Sequence, residues 1–468
     1  MIRRIIGSRF VLKMAREILP NVLRPKIGSI VLPKPTEAHF RAMLGGRASK
    51  SAMPGRVVLV CGSLQPGGAE RQVANTLVGL APVVGGENLT LLCDYLHTSA
   101  KIRNDFYLSY ARKSGATIRE IRKDAAAKDP LPPSFRKAAR NLHPGLVADI
   151  TDLFLEFRAL QPEVVHAWLD WSNVRAGLAA VLAGVPRVLL SGRNLSPRHF
   201  ALNADYYYPA YRALSECGDQ IVWLNNSQAG ANDYADWLSL AAARFQVVRN
   251  GVQFAEETRP PPTEYGELRA RWSIPANVPL IGGMFRFSEE KRPLLWIEVA
   301  ARIAHEFPNV HFVIFGEGPM RSEIEALVRQ CGLGERIQMP GLVASSLDGL
   351  APCDLVLLTS SGEGTPNVLL EAQWLGIPVV TVNAGGAGEA VNDGVTGLVV
   401  GSGNAADIAA GVLSILRDVM LRANARKEGP AFINATYGMD RMIAETLTAY
   451  GLGHRTVRPI HQGNEQDR

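Results

Sequence analysis

A short apolar run, Arg56-Val-Val-Leu-Val-Cys61, leads through the glycine-rich turn Gln65-Pro-Gly-Gly-Ala-Glu70 into a helical pattern from Ala69 to Leu80. A continuous apolar strand that is followed by a helix is typical of a parallel sheet covered by helices on both faces. The same order recurs downstream, so that further strands are predicted at Leu89–Cys93, Glu163–Ala167, Arg187–Ser191, Gln220–Leu224 and Phe245–Arg249.

The pattern is interrupted by Glu256-Glu-Thr-Arg-Pro-Pro-Pro-Thr263, because consecutive prolines cannot lie inside a helix or a central strand. A chain of 468 residues also exceeds the ~250–300 residues of a single core. We therefore predict two doubly wound, Rossmann-like α/β domains, residues 55–255 and 265–430, with a linker at 256–264 and a basic extension at 1–54. The second domain has strands predicted at Pro279–Phe285, His311–Phe315, Asp354–Thr359, Pro378–Val382 and Gly397–Val400.

The composition excludes several classes of protein. Hydrophobic residues make up 47% of the chain and charged residues 20%, which is the balance of a globular protein. No apolar run approaches the ~20 residues that span a bilayer, so an integral membrane protein is not expected. The five cysteines form no Cys-x-x-Cys pair. We therefore expect neither a disulfide framework nor a structural zinc site, and we place the protein in the reducing cytoplasm.

Positive charge is concentrated in two places. Residues 1–50 and the stretch Lys101–Arg140 are each rich in lysine and arginine, although the net charge of the whole chain is only +6. Such patches favour an anionic membrane surface as partner. They lack the interleaved aromatics of a nucleic-acid module, so no nucleic acid is expected. A basic amphipathic helix or a solvated tail would both fit the four-residue spacing of Ile2, Ile6, Phe10, Met14 and Ile18.

Two loops between a strand and a helix have the composition of anion sites. Gly67 and Gly68 would let a ligand approach the backbone closely and present helix N–H groups to an anion, although a tight turn alone would also need them. Arg286 and Lys291 precede a helix that starts near Pro293, where cations oppose the helix dipole. A pyrophosphate would compensate this charge, as would the neighbouring glutamates 289 and 290.

A third loop, Ser360-Ser-Gly-Glu-Gly-Thr-Pro-Asn-Val-Leu-Leu-Glu371, carries two carboxylates eight positions apart, Glu363 and Glu371. A carboxylate can accept two hydroxyl hydrogen bonds, which suits a sugar or a ribose, but it can also simply compensate a helix dipole. The sequence has no Asp-x-Asp pair, no P-loop and no Gly-x-Ser-x-Gly elbow. A metal-bridged diphosphate site, a P-loop nucleotidase and an α/β-hydrolase are therefore not expected.

These loops resemble those of the family 4 glycosyltransferases, which are retaining enzymes with the GT-B fold of two Rossmann-like domains around a central cleft. The resemblance extends from about Arg56 to Tyr450. It is carried by the Glu-x7-Glu pattern of Glu363 and Glu371, the pair Arg286 and Lys291, Gly67-Gly-Ala-Glu70, Phe315-Gly-Glu-Gly-Pro319 and Gly376-Ile-Pro-Val-Val380.

The resemblance implies a role for each motif. Arg286 and Lys291 would hold a nucleotide diphosphate and stabilise the leaving group without a metal, and Glu371 would accept the ribose hydroxyls. The glycine loop would border the phosphates, and a helix within residues 431–452 would cross back to the first domain, before a tail at 453–468. The donor sugar would be held by Glu363, Gly364, Thr365 and Asn367, and the base would be flanked by the segment that ends at Val343.

One segment departs from the family. A histidine near the end of a strand in the first domain usually faces the donor sugar, and here His166 is a catalytic candidate, but Trp168 stands where a second histidine is expected. His166 is therefore either functional or a structural residue of the strand. The candidates for the acceptor side are Asp170, Asn173 and Arg193.

The sequence thus predicts a retaining glycosyltransferase, cytoplasmic and peripheral at the inner face of the membrane. It would move a sugar from a nucleotide-diphosphate sugar, with UDP as the family's commonest nucleotide, to a glycan or lipid-linked acceptor in surface polysaccharide, exopolysaccharide or lipopolysaccharide biosynthesis. It would need no metal and no further cofactor. The alternatives are a sugar epimerase, against which Glu363 and Glu371 argue, and a non-catalytic glycosyltransferase-like subunit of a membrane assembly.

Overall fold

The computed structural model of the chain describes residues 34–46, 52–98, 103–123, 131–140, 142–200, 203–254 and 259–453. The amphipathic pattern from Ile2 to Ile18, part of the predicted linker and nearly all of the predicted tail lie outside these described residues. Within them, no helix combines the length and the apolar character that a bilayer-crossing segment needs.

The N-terminal domain is built on a parallel sheet of seven strands in the order β3-β2-β1-β4-β5-β6-β7. The strand that leads into the glycine loop is fully buried from Val57 to Val60, as a strand covered on both faces must be. The strands are β1 (Met53–Cys61), β2 (Leu89–Cys93), β3 (Thr117–Glu120), β4 (Pro162–Trp168), β5 (Arg187–Ser191), β6 (Ile221–Asn225) and β7 (Phe245–Val247). The helices are α1 (Glu37–Leu44), α2 (Gly68–Val84), α3 (Leu108–Ala111), α4 (Pro133–Ala139), α5 (Pro144–Leu160), α6 (Asp170–Ala183), α7 (Tyr207–Ser215) and α8 (Gln228–Leu238).

The C-terminal domain has a parallel sheet of six strands in the order β10-β9-β8-β11-β12-β13. The strands are β8 (Leu280–Met284), β9 (His311–Phe315), β10 (Ile337–Gly341), β11 (Leu355–Leu358), β12 (Val379–Val382) and β13 (Gly397–Val400). The helices are α9 (Tyr265–Arg271), α10 (Pro293–Glu306), α11 (Arg321–Gln330), α12 (Ser346–Leu350), α13 (Asn367–Trp374), α14 (Ala405–Arg417) and α15 (Val419–Tyr437).

In each sheet the strand order reverses beside one strand. β1 lies between β2 and β4, and β8 lies between β9 and β11. Open α/β sheets bind ligands at the carboxyl ends of their strands near such a reversal. The glycine loop follows β1 and the loop of Arg286 and Lys291 follows β8, so both predicted anion sites lie at a point of reversal.

The last described helix, α16 (Met439–Tyr450), returns to the N-terminal domain. Its apolar residues join the core of that domain, and a methyl group on Gly79 of α2 would lie 2.5 Å from Ile443, so the two helices pack very closely. The amide of Val252 donates to the carbonyl of Tyr437 at 2.8 Å, just before the crossing. The predicted crossing region, 431–452, thus contains the end of α15 as well as α16.

The region predicted as an extension also contributes to packing. Helix α1 contacts α4 and α7, and its residues Phe40 and Met43 are fully buried. Arg41 of the same helix forms an ion pair with Glu216 of the N-terminal domain. The domain therefore uses residues from before its first strand.

The two domains are in contact across the cleft. The carboxylate of Glu389, in the C-terminal domain, accepts from the amides of Gln228 and Ala229 at 2.9 and 2.7 Å. These amides are the first N–H groups of α8, which have no partner within the helix. Glu389 thus acts as a cap for a helix of the other domain, and its negative charge is favourable at that end of the helix dipole.

Candidate active site

The loop after β8 brings the first predicted pair of charges together. Lys291 Nζ lies 2.6 Å from Glu363 Oε1, and both side chains are largely buried. Arg286 is exposed on the same loop, and among the described residues its guanidinium has no hydrogen-bond partner. One cation is therefore already paired with a predicted sugar-binding carboxylate, whereas the other is open to the cleft.

Hydrogen bonds tie this loop to the loop after β11. Arg292 adopts the left-handed conformation with φ of 48° and donates to the carbonyls of Thr359 and Ser360 at 2.6 and 3.0 Å. The amide of Ser361 donates to the carbonyl of Glu290 at 2.8 Å. The geometry of Lys291 and Glu363 therefore follows from backbone contacts and does not depend on their ion pair alone.

The carboxylate loop requires close backbone packing. The carbonyl of Glu363 accepts from the amide of Gly386 at 2.8 Å, and a Cβ on Gly385 would lie 2.3 Å from the same carbonyl oxygen. A Cβ on Gly364 would lie 2.3 Å from the carbonyl oxygen of Arg193, which belongs to the N-terminal domain. Glycine at position 364 thus lets the two domains approach each other at the cleft.

Two asparagines of the N-terminal domain hold this loop. Asn250 Nδ2 donates to the carbonyl of Thr365 at 3.1 Å and to Asn367 Oδ1 at 2.8 Å, and Thr365 Oγ1 donates to the carbonyl of Asn226 at 2.8 Å. Asn367 Nδ2 also reaches the carbonyl of Gly68 at 3.5 Å. The predicted donor residues Thr365, Asn367 and Gly68 are therefore neighbours. The sequence analysis did not single out the two asparagines.

The glycine loop packs closely against the side chain of Glu70. Gly67 precedes the first turn of α2, and a Cβ there would lie 2.1 Å from a carboxylate oxygen of Glu70. Burial raises the pKa of Glu70, while hydrogen bonds from its own backbone and from Gln65, together with the charge of Arg286, oppose that shift.

Glu371 has a partner that the sequence analysis missed. It lies in α13, and it forms an ion pair with Arg71 of α2, from the opposite domain. The negative charge of Glu371 raises the pKa of Arg71. A signal was present in the sequence, since Arg71 directly follows the Gly-Gly-Ala-Glu motif and places a cation in the first turn of a helix, where the dipole disfavours it.

His166 lies inside β4, which continues for two residues beyond it. The ring is 2% exposed, its Nδ1 lies 2.9 Å from the hydroxyl of Tyr450, and it packs on Trp168 with 4.7 Å between ring centroids. Nε2 is buried without a hydrogen-bond partner among the described residues. Burial, with a smaller effect of Arg193, lowers the pKa of His166 to about 3, so the imidazole is neutral at physiological pH.

The acceptor-side candidates do not form one cluster. Asp170 accepts from the hydroxyls of Tyr211 and Tyr234 at 2.6 and 2.7 Å, and Asn173 bonds to Tyr211 and to the amide of Ser191. These contacts remain inside the N-terminal domain. The guanidinium of Arg193 instead lies over the ring of Trp168, 4.6 Å from its centroid, and donates to Asn250. Burial lowers the pKa of Arg193 to about 9.

Two further residues complete the edge of the cleft. Val343 follows β10 and is half-buried against the core of the C-terminal domain. Leu169 directly follows β4 with φ of 69° and ψ of 154°, a conformation that essentially only glycine adopts without strain, and its side chain is 37% exposed. A strained, exposed apolar residue at a strand end is an unusual feature in a sheet of this kind.

The cleft presents three kinds of group to a ligand, namely cations, carboxylates and the N-terminus of a helix. Cations at the end of β8 suit a diphosphate, and the carboxylates suit hydroxyl groups. Within the described part of the chain, no group of three or more His, Cys, Asp or Glu side chains is arranged to hold a metal ion. The positive groups of the cleft include Arg286, Lys291 and Arg71, of which Lys291 and Arg71 are held by ion pairs.

Residues 265–432 match the family model of glycosyl transferases group 1. The chain is 32% identical over 366 residues to the Vi polysaccharide biosynthesis protein VipC/TviE of Salmonella typhi, which covers 74% of this chain and 62% of that protein. It is also 32% identical over 161 residues to the lipopolysaccharide core biosynthesis glycosyltransferase LpsE of Rhizobium meliloti, over 34% of this chain and 46% of LpsE. The chain thus spans less than two thirds of the length of these relatives.

The fold is shared with solved structures. The structure of Anabaena Alr3699/HepE in complex with UDP and glucose superposes with a TM-score of 0.68 at 20% identity, over 84% of this chain and 99% of that chain. The lipopolysaccharide outer core galactosyltransferase WaaB superposes with a TM-score of 0.57 at 15% identity, over 84% and 98% of the two chains. The two-sheet architecture is therefore the GT-B fold, and residues 265–432 of this chain are similar to the glycosyl transferases of group 1.

Proposed function

We propose that the protein is a retaining glycosyltransferase that moves a sugar from a nucleotide-diphosphate sugar to a glycan or lipid-linked acceptor. The observation that carries the proposal is that the loops after β8 and β11 carry Arg286, Lys291 and Glu363 to the cleft at a strand-order reversal, and that Glu371 of the following helix α13 faces the same cleft. The names of the relatives, which concern Vi polysaccharide and lipopolysaccharide core, support a role in surface polysaccharide, exopolysaccharide or lipopolysaccharide biosynthesis.

In this proposal the donor is held from both ends. Arg286 and Lys291 bind the diphosphate and stabilise the negative charge of the leaving group, as preorganised cations do in a site that excludes water. Glu363, with the backbone of Gly364 and the neighbours Thr365 and Asn367, holds the sugar. Glu371 accepts the ribose hydroxyls, and Val343 flanks the base. The UDP in the Anabaena structure supports a uracil base.

His166 is proposed to meet the donor sugar through Nε2. Its other nitrogen is engaged by Tyr450, so Nε2 is the ring atom left for a ligand. A neutral imidazole at physiological pH fits a hydrogen-bonding role better than that of a cation. The acceptor would approach the same strand ends, where Asp170, Asn173 and Arg193 follow β4 and β5.

We further propose that the protein works at the cytoplasmic face of a membrane, with an anionic lipid surface and no nucleic acid as partner. Three exposed cations of the second basic stretch lie over aromatic rings: Lys123 over Tyr95, Arg103 over Phe106 and Lys113 over Tyr110, at 5.4, 5.4 and 5.7 Å. The two tyrosine rings are amphipathic and the three charges are exposed, which suits the interfacial region of a bilayer.

The decisive experiment is transfer or hydrolysis of sugar nucleotides by the purified full-length protein in the presence of a chelator. We expect activity with one UDP-sugar of a panel and stabilisation of the fold by that donor, about 2.7 kcal/mol at 100 times its Kd. A protein that binds no sugar nucleotide, or binds one without turnover, would favour a non-catalytic subunit, a reading to which the burial of His166 also gives some weight.

Sedimentation with anionic vesicles tests the membrane proposal. The full chain is expected to bind phosphatidylserine vesicles, less so as salt rises, because exposed cations each contribute about 1 kcal/mol near such a surface. Deleting residues 1–50 and replacing Arg103, Lys113 and Lys123 by glutamine separate the two basic regions. Equal binding by the wild type and by the combined variant would refute the proposal.

A further inference from the structure

The ion pair between Arg71 and Glu371 joins the two faces of the cleft. Arg71 lies in the first turn of α2, whereas Glu371 lies in α13 of the other domain. The side chain of Glu371 is only 3% exposed and that of Arg71 is 25% exposed. A carboxylate so deeply buried needs a charged or hydrogen-bonding partner, and here the partner comes from across the cleft.

Arg71 is held by more than this carboxylate. Its Nε donates to the hydroxyl of Tyr107 at 3.4 Å, and one terminal nitrogen lies 3.5 Å from the hydroxyl of Ser346 in α12. The segment that ends at Val343, proposed to flank the base, directly precedes α12. The guanidinium therefore lies between the residues that are proposed to hold the base and the residue that is proposed to hold the ribose.

The donor and Arg71 would compete for the same carboxylate. If Glu371 accepts the ribose hydroxyls, the nucleoside must reach it from the cleft, which is the side from which Arg71 reaches it now. Arginine would have to give up at least part of its contact, and a half-buried guanidinium that loses its carboxylate needs another anion.

That anion is available on the donor. Asn367, on the side proposed to hold the donor, donates through Nδ2 to the carbonyl of Gly68 at 3.5 Å, so the phosphates of a donor held there would lie beside the first turn of α2. The free N–H groups of this turn and the helix dipole already favour negative charge there. Arginine is the residue best suited to phosphate, because its planar fork can donate two parallel hydrogen bonds.

We propose that Arg71 is a positioning residue that exchanges partners: it pairs with Glu371 until the donor enters, and it then donates to the diphosphate. The inference rests on the proposed function. It assigns the N-terminal domain a cation for the donor, in addition to Arg286 and Lys291 of the C-terminal domain. Donor binding would thereby replace one contact between the domains by another that runs through the substrate.

The test compares uridine with UDP in calorimetric titrations of the full-length protein at pH 8. In Arg71→Met we expect uridine to bind several-fold more tightly, because Glu371 is no longer engaged, while the preference for UDP over uridine falls at least about tenfold, the usual effect of losing a charge-assisted contact. Arg71→Lys keeps the charge without the fork and is expected to lie between the wild type and the methionine variant.

The matched control is Arg417→Met, which breaks an exposed ion pair with Glu306 far along the chain from the cleft motifs. It should leave both affinities unchanged. If Arg71→Met does not fold, Arg71→Lys alone decides, since an unchanged preference for UDP in that variant would contradict the inference.

The titrations distinguish a failure of the partner exchange from a failure of the proposed function. A preference for UDP in Arg71→Met within twofold of the wild type, together with a loss of UDP affinity in Arg286→Met, would overturn the exchange and leave the proposed function intact. A wild type that binds neither UDP nor uridine would overturn the proposed function and, with it, the exchange.

Discussion

The two halves of the cleft are built on different principles. On the C-terminal side, the charged groups Arg286, Lys291 and Glu363 lie on loops that hydrogen bonds join to each other, and Arg286 is exposed. On the N-terminal side, His166 and Trp168 are buried, and their neighbours Tyr450 and Arg193 come from distant parts of the chain. The first half offers charge to a ligand, whereas His166 and Trp168 give the second half a buried, neutral wall beside the cations Arg71 and Arg193.

This difference predicts whether a substitution in each half should lower mainly activity or both activity and stability. A substitution on the C-terminal side removes an interaction with the proposed donor and should lower activity more than stability. A substitution on the N-terminal side removes a buried contact and should lower stability as well as activity. The predictions below use this contrast, and each would fail if the halves were interchangeable.

The largest effect is expected for Lys291→Met and Arg286→Met. Each should lower kcat/KM for sugar transfer by about 10²–10³-fold, because fixed cations stabilise the charge that develops on the leaving diphosphate. Steady-state kinetics with the best donor, together with thermal denaturation, provide the measurement. The double variant Lys291→Met/Glu363→Gln controls for the unpaired carboxylate, and recovery of activity in it would contradict the role of Lys291.

The second prediction separates the two carboxylates. Glu371→Gln should weaken uridine and UDP alike by about tenfold or more, whereas Glu363→Gln should leave uridine affinity unchanged and slow transfer, because only the first is proposed to meet the ribose. Titration with the nucleoside and with the complete sugar nucleotide distinguishes them. Equal loss of uridine affinity in both variants would refute the division of roles.

The third prediction concerns pH and the buried wall. The folded state keeps His166 neutral down to about pH 3, whereas the unfolded chain takes up a proton near pH 6.5. The unfolded state therefore binds more protons in this window, and stability is lost as the pH falls below about 6.5, with a slope of at most ~1.4 kcal/mol per pH unit. Denaturant unfolding of the wild type and of His166→Gln should be measured between pH 7 and pH 4. The free energy of unfolding should fall less steeply with falling pH in the variant. The same dependence of the free energy of unfolding on pH in both proteins would contradict the burial of a neutral imidazole.

The smallest effect is expected at Leu169. Glycine adopts its backbone conformation freely, so Leu169→Gly should relieve strain and raise the free energy of unfolding by about 1 kcal/mol, after the entropic cost of glycine. Leu169→Ala, which keeps the strain, serves as the matched control. A stabilised glycine variant with a raised KM for the acceptor alone would show that the exposed side chain takes part in acceptor binding.

The sequence predicted the interior strands and two of the four edge strands, β7 and β13. The buried strands β1, β8 and β11 are continuous apolar runs, and their predicted positions agree with the structure to within a residue or three. The other two edge strands, β3 and β10, were not predicted, because neither is a continuous apolar run: β3 contains Arg119 and Glu120, and β10 contains Pro340. A proline is tolerated at an edge, where one N–H faces away from the ladder.

In the candidate site, local sequence motifs predict some positions, whereas other contacts depend on the meeting of the two domains. The positions of Lys291 and Glu363 follow from local motifs, because each loop is set by the strand before it. The contacts of Arg71, Asn226 and Asn250 depend on how one domain meets the other, and no local pattern encodes that. His166 shows both cases, since its place near the end of a strand was predictable, but its contact with Tyr450, 284 positions away, was not.

The return of α16 to the first domain has a consequence for how the chain acquires its structure. The N-terminal sheet is complete at Val247, but its core still lacks the apolar face of Met439–Tyr450. A ribosome that adds ~5–20 residues per second needs roughly 10–40 s to supply the missing helix. During that time the nascent domain exposes the surface of α2 around Gly79, while the C-terminal domain forms beside it. The first domain to be synthesised is therefore the last to be finished, and its folding depends on the completion of its neighbour.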